Sequence, residues 1–255
     1  MTKTKLSMKS KLAQQVYDQG YCLLEGFFST KNREEIIQIL YQVWVDNGKP
    51  SMAGQFGYVL HPVLEFAPGL APFYAQPEIV DLLAEILQDE VRLAHSGAIL
   101  CDEIRSFCDW HCHLNGDRFN QWYPKPKNHH GVDRLLCNVY LHGSNSTTGE
   151  LLVYPRKITD SWDMPFDDLL IEWQGQKIIT CPPGSAVIFD TAIFHAARRP
   201  TGTGHRYIWG GHYQGKSNLT RHREDNWFQS SLIEQHRRNN PLFASLTDMC
   251  IPSFS

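Results

Sequence analysis

The spacing of apolar residues changes character about a third of the way along the chain. Up to residue 90 it is mostly helical. Leu6, Leu12, Val16 and Tyr17 describe a loose amphipathic helix that Gly20 stops. A short apolar segment, Tyr21 to Phe28, follows. Ser29 and Thr30 then offer an N-cap to a stripe of Ile36, Ile37, Leu40, Val43 and Trp44 that ends near Gly48. Residues 48–73 are rich in Gly and Pro and read as loop. Pro77 opens another helix with Ile79, Leu82, Leu83, Ile86 and Leu87 on one face.

From Val91 the texture is β. The short runs Val91–Leu100, Arg105–His113, Arg134–Leu141, Leu151–Tyr154, Leu169–Trp173, Lys177–Cys181, Ala186–Asp190 and Arg206–Tyr213 are candidate strands. Turn signals at Gly143-Ser144-Asn145, Gln174-Gly175 and Pro182-Pro183-Gly184 separate several of them. Strands in this number after a helical prelude predict an all-β core with flanking helices, a cupin-like jelly roll. The helical part spans about 1–90, the β core about 91–215, and a last helix about 223–238. At 255 residues this fits one domain, because all-β sandwiches and barrels reach that size without splitting.

Composition narrows the function classes. The charge balance, 24 basic against 27 acidic side chains, argues against a nucleic-acid partner gripped through its phosphates. Seven cysteines without repeated spacing read as reduced thiols rather than a disulfide scaffold. No apolar run approaches the ~18 residues of a membrane span. Lysines crowd the first eleven residues, but no apolar core follows to make a secretory signal. The expectation is a cytoplasmic protein with no membrane partner; the oligomeric state is not legible.

The chemistry concentrates in a few residues. His111 and His113 lie two apart on a candidate strand, so both side chains point to one face and can reach one ion. His195 can close the site from a distant strand. Three imidazoles leave about half of an octahedral iron open for a cosubstrate and oxygen, as non-haem Fe(II) oxygenases require. Arg206, eleven residues beyond His195, adds a fixed cation able to grip a carboxylate at two points. Together these features suggest an oxygenase that uses O2 and a dicarboxylic keto acid.

Several segments then line up with a known family. Trp110-His111-Cys112-His113, Leu135–Leu141, Gly149-Glu150-Leu151-Leu152-Val153-Tyr154-Pro155, Pro183–Asp190, His195 and Arg206 resemble, in order and spacing, the phytanoyl-CoA dioxygenase family of Fe(II)/2-oxoglutarate oxygenases. The resemblance runs across about residues 10–215. It implies a double-stranded β-helix, Fe(II) and 2-oxoglutarate as cofactors, His111 and His195 as metal ligands, and Arg206 as the clamp on the distal carboxylate. The implied activity is oxidation of a C–H bond in a small molecule, with hydroxylation, desaturation or cyclisation as outcomes, in keeping with specialised metabolism.

The chain departs from the family where a His-x-Asp pair is usual, because His113 stands in place of the Asp. A neutral imidazole leaves the metal site one unit more positive than a carboxylate would. Three outcomes stay open at this point. They are a three-His set that still uses 2-oxoglutarate, a three-His dioxygenase that does without it, and a barrel kept only for binding. Imidazole is a good iron ligand, and Arg206 has a use only if a carboxylate arrives, which favours the first. Pro155-Arg156-Lys157, where the family usually has Pro-Gly-Ser-His, points to a substrate other than a fatty acyl-CoA.

Other residues carry weaker expectations. Asn138 and Tyr140 share a face of one strand and are candidates to contact 2-oxoglutarate, with core packing as the alternative. Trp209, on the strand of Arg206, is a candidate border of the same site or a core residue. Gln55, Phe56 and Tyr58 are lid candidates by position, as is Trp227. Trp122, Tyr123, His129 and His130, in the long segment 114–133, either line the substrate mouth or sit at the surface. Asp117 is a substitute ligand should His113 turn away. Cys108 and Cys112 invite a zinc site with the histidines, but no second Cys pair exists, and Cys112 is expected in the core. His61, His95, His142, His205, His212, His222 and His236 read as surface or structural residues.

Overall fold

The computed structural model describes residues 8–113, 132–160, 164–218 and 230–248. In chain order these form α1 (Met8–Gln19), β1 (Tyr21–Leu24), α2 (Thr30–Asp46), β2 (Tyr58–Leu60), α3 (Val63–Phe66), a 3-10 turn (Pro68–Leu70), α4 (Ala71–Tyr74) and α5 (Pro77–Leu87). The β core follows as β3 (Val91–Cys101), β4 (Cys108–His111), β5 (Arg134–Tyr140), β6 (Leu151–Val153), β7 (Lys177–Ile179), β8 (Ser185–Asp190), β9 (His195–Ala197) and β10 (Arg206–Gly215). Two helices, α6 (Ser231–Asn239) and α7 (Pro241–Leu246), close the described chain.

The strands make two antiparallel sheets, one of six in the order β1-β8-β5-β10-β3-β2 and one of four in the order β4-β9-β6-β7. This is the expected jelly roll. Alternation along the strands sorts their residues into three layers. The outward residues of the large sheet, among them Leu135, Cys137, Val139, Ile188, Tyr207, Trp209 and Tyr213, pack with Val16, Ile36, Leu40 and Leu83 of the helices. The inward residues Leu136, Tyr140, Val187, Phe189 and Ile208 meet Leu151 and Val153 of the small sheet. A third cluster covers the outer face of the small sheet with Trp110, Cys112, Leu152, Phe194 and Ala196.

The helices follow their apolar stripes. Ile36, Leu40 and Val43 are the buried positions of α2, and the Ser29 hydroxyl accepts from the Asn32 N–H at 3.2 Å to cap it. Helix α5 buries Ile79, Val80, Leu82, Leu83 and Ile86 against the large sheet.

The differences from the sequence reading have physical causes. Leu169–Trp173 is not a strand. Leu169 and Trp173, four apart, are buried while Leu170 and Ile171 are exposed, and the segment lies across the small sheet's outer face. Trp173 stacks on Trp110 at 4.3 Å, and the Trp110 indole N–H donates to the Ile171 carbonyl at 2.8 Å. The segment 48–73 is not simply loop, since β2 and several short helical turns form within it. Residues 21–24 pair with β8 as an edge strand, and β9 and α7 are further elements that the apolar pattern did not mark. Strand β4 is shorter than expected, so Arg105 precedes it and His113 follows it. Residues 223–229 of the last expected helix lie outside the described residues, and the helix itself begins at Ser231.

Candidate metal centre

The two sheets bring the three predicted histidines together at one end of the barrel. Strand β4 pairs with β9 so that His111 stands opposite His195 and Cys108 opposite Ala197. Three steps on one strand match two on the other, which is a bulge. It aims both Cys108 and His111 inward, although they are three apart, and leaves Trp110 and Cys112 in the outer core. His113 lies just beyond the end of β4, where its N–H donates to the Thr191 carbonyl at 2.8 Å.

One ring nitrogen from each of His111, His113 and His195 lies within 4.8 Å of the others, and this is the only such group of potential metal ligands among the described residues. For His111 and His195 the partners settle which nitrogen is offered. The Nδ1 of His111 is 2.7 Å from the Asp109 carbonyl and that of His195 is 3.2 Å from the Ile193 carbonyl. A carbonyl only accepts, so each Nδ1 carries its proton and each Nε2 keeps a lone pair. The Nδ1 of His113 is 3.0 Å from His212 Nε2. Burial holds His195 well below the usual imidazole range, aided by His111 and His113. Burial does the same to His113, aided by His212 and His111. Both rings are therefore neutral at physiological pH, the form that binds a metal.

A cavity of about 310 Å³ runs from these rings toward Arg206. Asn138, Tyr140, Cys101, Cys108, Leu151 and Ile208 are among the residues that line it. Arg206 is 4% exposed and, among the described residues, has no hydrogen-bond or ion-pair partner; its Nε is buried without one. Its guanidinium sits 5.4 Å from the Tyr140 ring centre, a cation–π contact. A second buried guanidinium, Arg105, donates to the carbonyls of Ser106 (3.0 Å), Ala197 (3.5 Å) and Arg198. Burial, and then Arg206, pull Arg105 down to about 10, so it stays charged at neutral pH. A buried cation without a carboxylate, with the Arg105 charge close behind it, makes the Arg206 end of the cavity a place for an anion.

The structure brings together most of the expected site. Asn138 and Tyr140 line the cavity, and Gln55 and Phe56 form part of its wall, with Phe56 edge-on to His111 at 5.7 Å. Trp209 is corrected. One residue out of step with Arg206 and Ile208, it points to the helix side, where it packs on Phe28, Phe73 and Tyr74. Tyr58 packs against the helix-side core as well. Cys108 lines the cavity but does not join the three histidines. Asp117, Trp122, Tyr123, His129, His130 and Trp227 lie outside the described residues. His212 and His95, read from sequence as structural or surface residues, are buried beside the site. The signal for His212 was its even spacing from Arg206 on one predicted strand.

The sequence matches no family model and no curated protein. The fold, in contrast, is similar to several solved structures. HygX from Streptomyces hygroscopicus, solved with nickel and 2-oxoglutarate bound, aligns with a TM-score of 0.68 at 12% identity over 84% of this chain and 88% of that one. SnoK, a non-haem alpha-ketoglutarate-dependent carbocyclase from nogalamycin biosynthesis, aligns with a TM-score of 0.65 at 15% identity over 82% and 84%. EctD from S. alaskensis, solved with 2-oxoglutarate and 5-hydroxyectoine, gives 0.63 at 17% identity over 86% and 79%. The chain thus has the jelly-roll fold on which these enzymes are built.

Proposed function

We propose that this protein is a non-haem Fe(II)/2-oxoglutarate-dependent oxygenase that oxidises a C–H bond of a small molecule. The observation that carries the reading is one cavity with three imidazoles at one end and an unpartnered, buried arginine at the other. Both features fit iron and 2-oxoglutarate. The imidazoles are a donor set for iron with open positions, and Arg206 is a cation in need of a carboxylate. His111, His113 and His195 would hold the metal. Arg206 would take the distal carboxylate of 2-oxoglutarate, with Tyr140 and Asn138 bordering the chain between.

When bound, the iron and keto acid supply the oxidising power, with O2 as the oxidant and succinate and CO2 as co-products. The protein's part is placement. The carbonyls of Asp109 and Ile193 hold the His111 and His195 rings by their Nδ1–H groups. Tyr140 packs against the Arg206 guanidinium and keeps it aimed along the cavity. Phe56 and Val59, from the early segment, belong to the cavity wall and would shield the metal end from water.

The neighbours support a small-molecule substrate. HygX has also been solved with hygromycin B bound, and SnoK belongs to nogalamycin biosynthesis. A role in specialised metabolism is the corresponding reading here. The phytanoyl-CoA dioxygenase-like motif order supports a place in that branch, with a His-x-His pair as this chain's variant. The test is an anaerobic Fe(II) titration with and without 2-oxoglutarate, following the visible iron-to-keto-acid charge-transfer band. A band in wild type that weakens in Arg206→Ala is expected. Tight iron binding with no band would replace the proposal with a three-His dioxygenase that needs no keto acid, and no iron binding would reduce the barrel to a scaffold.

A further inference from the structure

The third ring of the cluster is held differently from the other two. His111 and His195 each bond a carbonyl two residues back in the chain, a contact that comes with the local backbone. His113 lies past the end of β4 and its Nδ1 meets a side chain from the other sheet, His212 Nε2 at 3.0 Å. The two rings are 4.9 Å apart, and His212 is 2% exposed.

His212 is itself firmly placed. It lies on β10 opposite His95 of β3 and Leu136 of β5. The β10–β3 register shifts between His212 and Tyr213, so a bulge falls where the histidine must be aimed. Behind it stand the His95 ring, at 5.2 Å, and the His61 ring, which meets His95 edge-on at 3.3 Å. A small cavity of about 80 Å³ adjoins the four rings, above Gly97 and Gly210.

We propose that His212 is the positioning residue for His113: by accepting the Nδ1–H it fixes the tautomer and the ring orientation that turn His113 Nε2 toward the metal. The inference rests on the metal-centre reading above. Its chemistry is that of an outer partner on a ligating imidazole, which holds the ring and raises its donor strength. An imidazole in this role adds no negative charge, unlike a carboxylate, so the metal keeps its full positive charge for an incoming dianion. Arg206 and His212, six apart and on one face of β10, then make a single strand responsible for both the cosubstrate clamp and the third ligand.

The test uses the full metal-free chain and Co(II), which reports both affinity and ligand geometry in its visible spectrum. His212→Leu should bind Co(II) about 10- to 100-fold more weakly than wild type, with an altered band. His212→Gln, whose carbonyl oxygen can accept the same proton, should recover most of the affinity. Equal metal-free melting temperatures would separate positioning from loss of fold. Should the Leu variant fail to fold, nitrogen-15 histidine spectra of wild type with Zn(II) decide. The inference requires a proton on His113 Nδ1 and none on His212 Nε2, and the reverse assignment overturns it. So does a folded His212→Leu with wild-type affinity and an unchanged band, which would leave the metal centre standing. A wild type that binds neither ion would remove the metal centre itself, and this inference with it.

Discussion

Two positions on β10, Arg206 and His212, treat buried polar groups in opposite ways. At Arg206 a buried cation is left open, backed by the Tyr140 face and by a second guanidinium on Arg105. At His212 a buried imidazole is committed, bonded to His113 and backed by His95. An unsatisfied buried charge is costly, so it persists only where something else completes it. A satisfied buried polar pair instead fixes geometry. The comparison teaches which end receives a ligand directly and which end shapes the atom that does.

The largest effect expected is at the metal end. His195→Ala removes a proposed ligand that no described neighbour replaces, and it should abolish Co(II) and Fe(II) binding together with any succinate formation. Measured metal content after reconstitution checks this. Retention of stoichiometric iron with wild-type affinity would break the three-imidazole assignment. At the opposite end, Arg206→Ala should leave metal affinity within a few-fold of wild type while weakening 2-oxoglutarate. The loss of a two-point charged contact is about 3 kcal/mol, on the order of 100-fold in the cosubstrate KM. Arg206→Lys keeps the charge but loses the planar fork, and should fall between the two. If Arg206→Ala instead disturbed metal binding as strongly as His195→Ala, the two ends would not be separable.

Between these two positions, Gly210 of β10 pairs with Gly97 of β3 and Asn138 of β5. These glycines are not equivalent. A Cβ on Gly210 would collide with the Cys137 carbonyl, a backbone atom that the ladder holds in place. A Cβ on Gly97 would meet His95 Nε2 at 3.5 Å and the Leu60 carbonyl at 3.8 Å, which is ordinary contact. Gly210→Ala should therefore cost about 2–3 kcal/mol, while Gly97→Ala should stay within about 0.5 kcal/mol. Chemical denaturation of both variants checks the contrast, and a neutral Gly210→Ala would mean that the strands can separate without harm.

Much of this was legible before the fold was known, for a definable reason. His111, His195 and Arg206 stand in local patterns that carry their chemistry with them, and the alternation of β5 and β10 put Asn138, Tyr140 and Arg206 inward. The illegible parts depend on partners distant in the chain. Residues 21–24 and 58–60 become strands because β8 and β3 have edges to pair with, and runs of three or four residues hold no period of their own. Leu169–Trp173 had the composition of a strand, but it buries only residues four apart because Trp110 offers it a ring to stack on. Of the two expectations for Trp209, the core residue is the one the structure shows, because the period of two puts a neighbour of Ile208 on the opposite face. His212 was passed over because its partner, His113, is visible only once the two sheets are closed.

The smallest effect concerns how the Arg206 end is anchored. Beside Arg206, the Tyr207 N–H donates to His142 Nδ1 at 3.1 Å, so His142 must be neutral there. Burial, then Arg33 and His205, pull His142 down to about 4 from the usual 6.5. The unfolded chain therefore binds this proton more readily than the folded one. The contribution of His142 is fully present above pH 6.5 and is lost as pH falls through 4. Solvent reaches part of the ring, so the amount is on the order of 1 kcal/mol. His142→Asn in the metal-free protein, whose side-chain oxygen can accept the same N–H without titrating, should flatten the fall in melting temperature between pH 6.5 and 4. It should leave the cosubstrate KM unchanged at pH 8. If the slope is unaltered, the acid sensitivity belongs to the ligand histidines at the other end, and the Arg206 end is held by its backbone ladder alone.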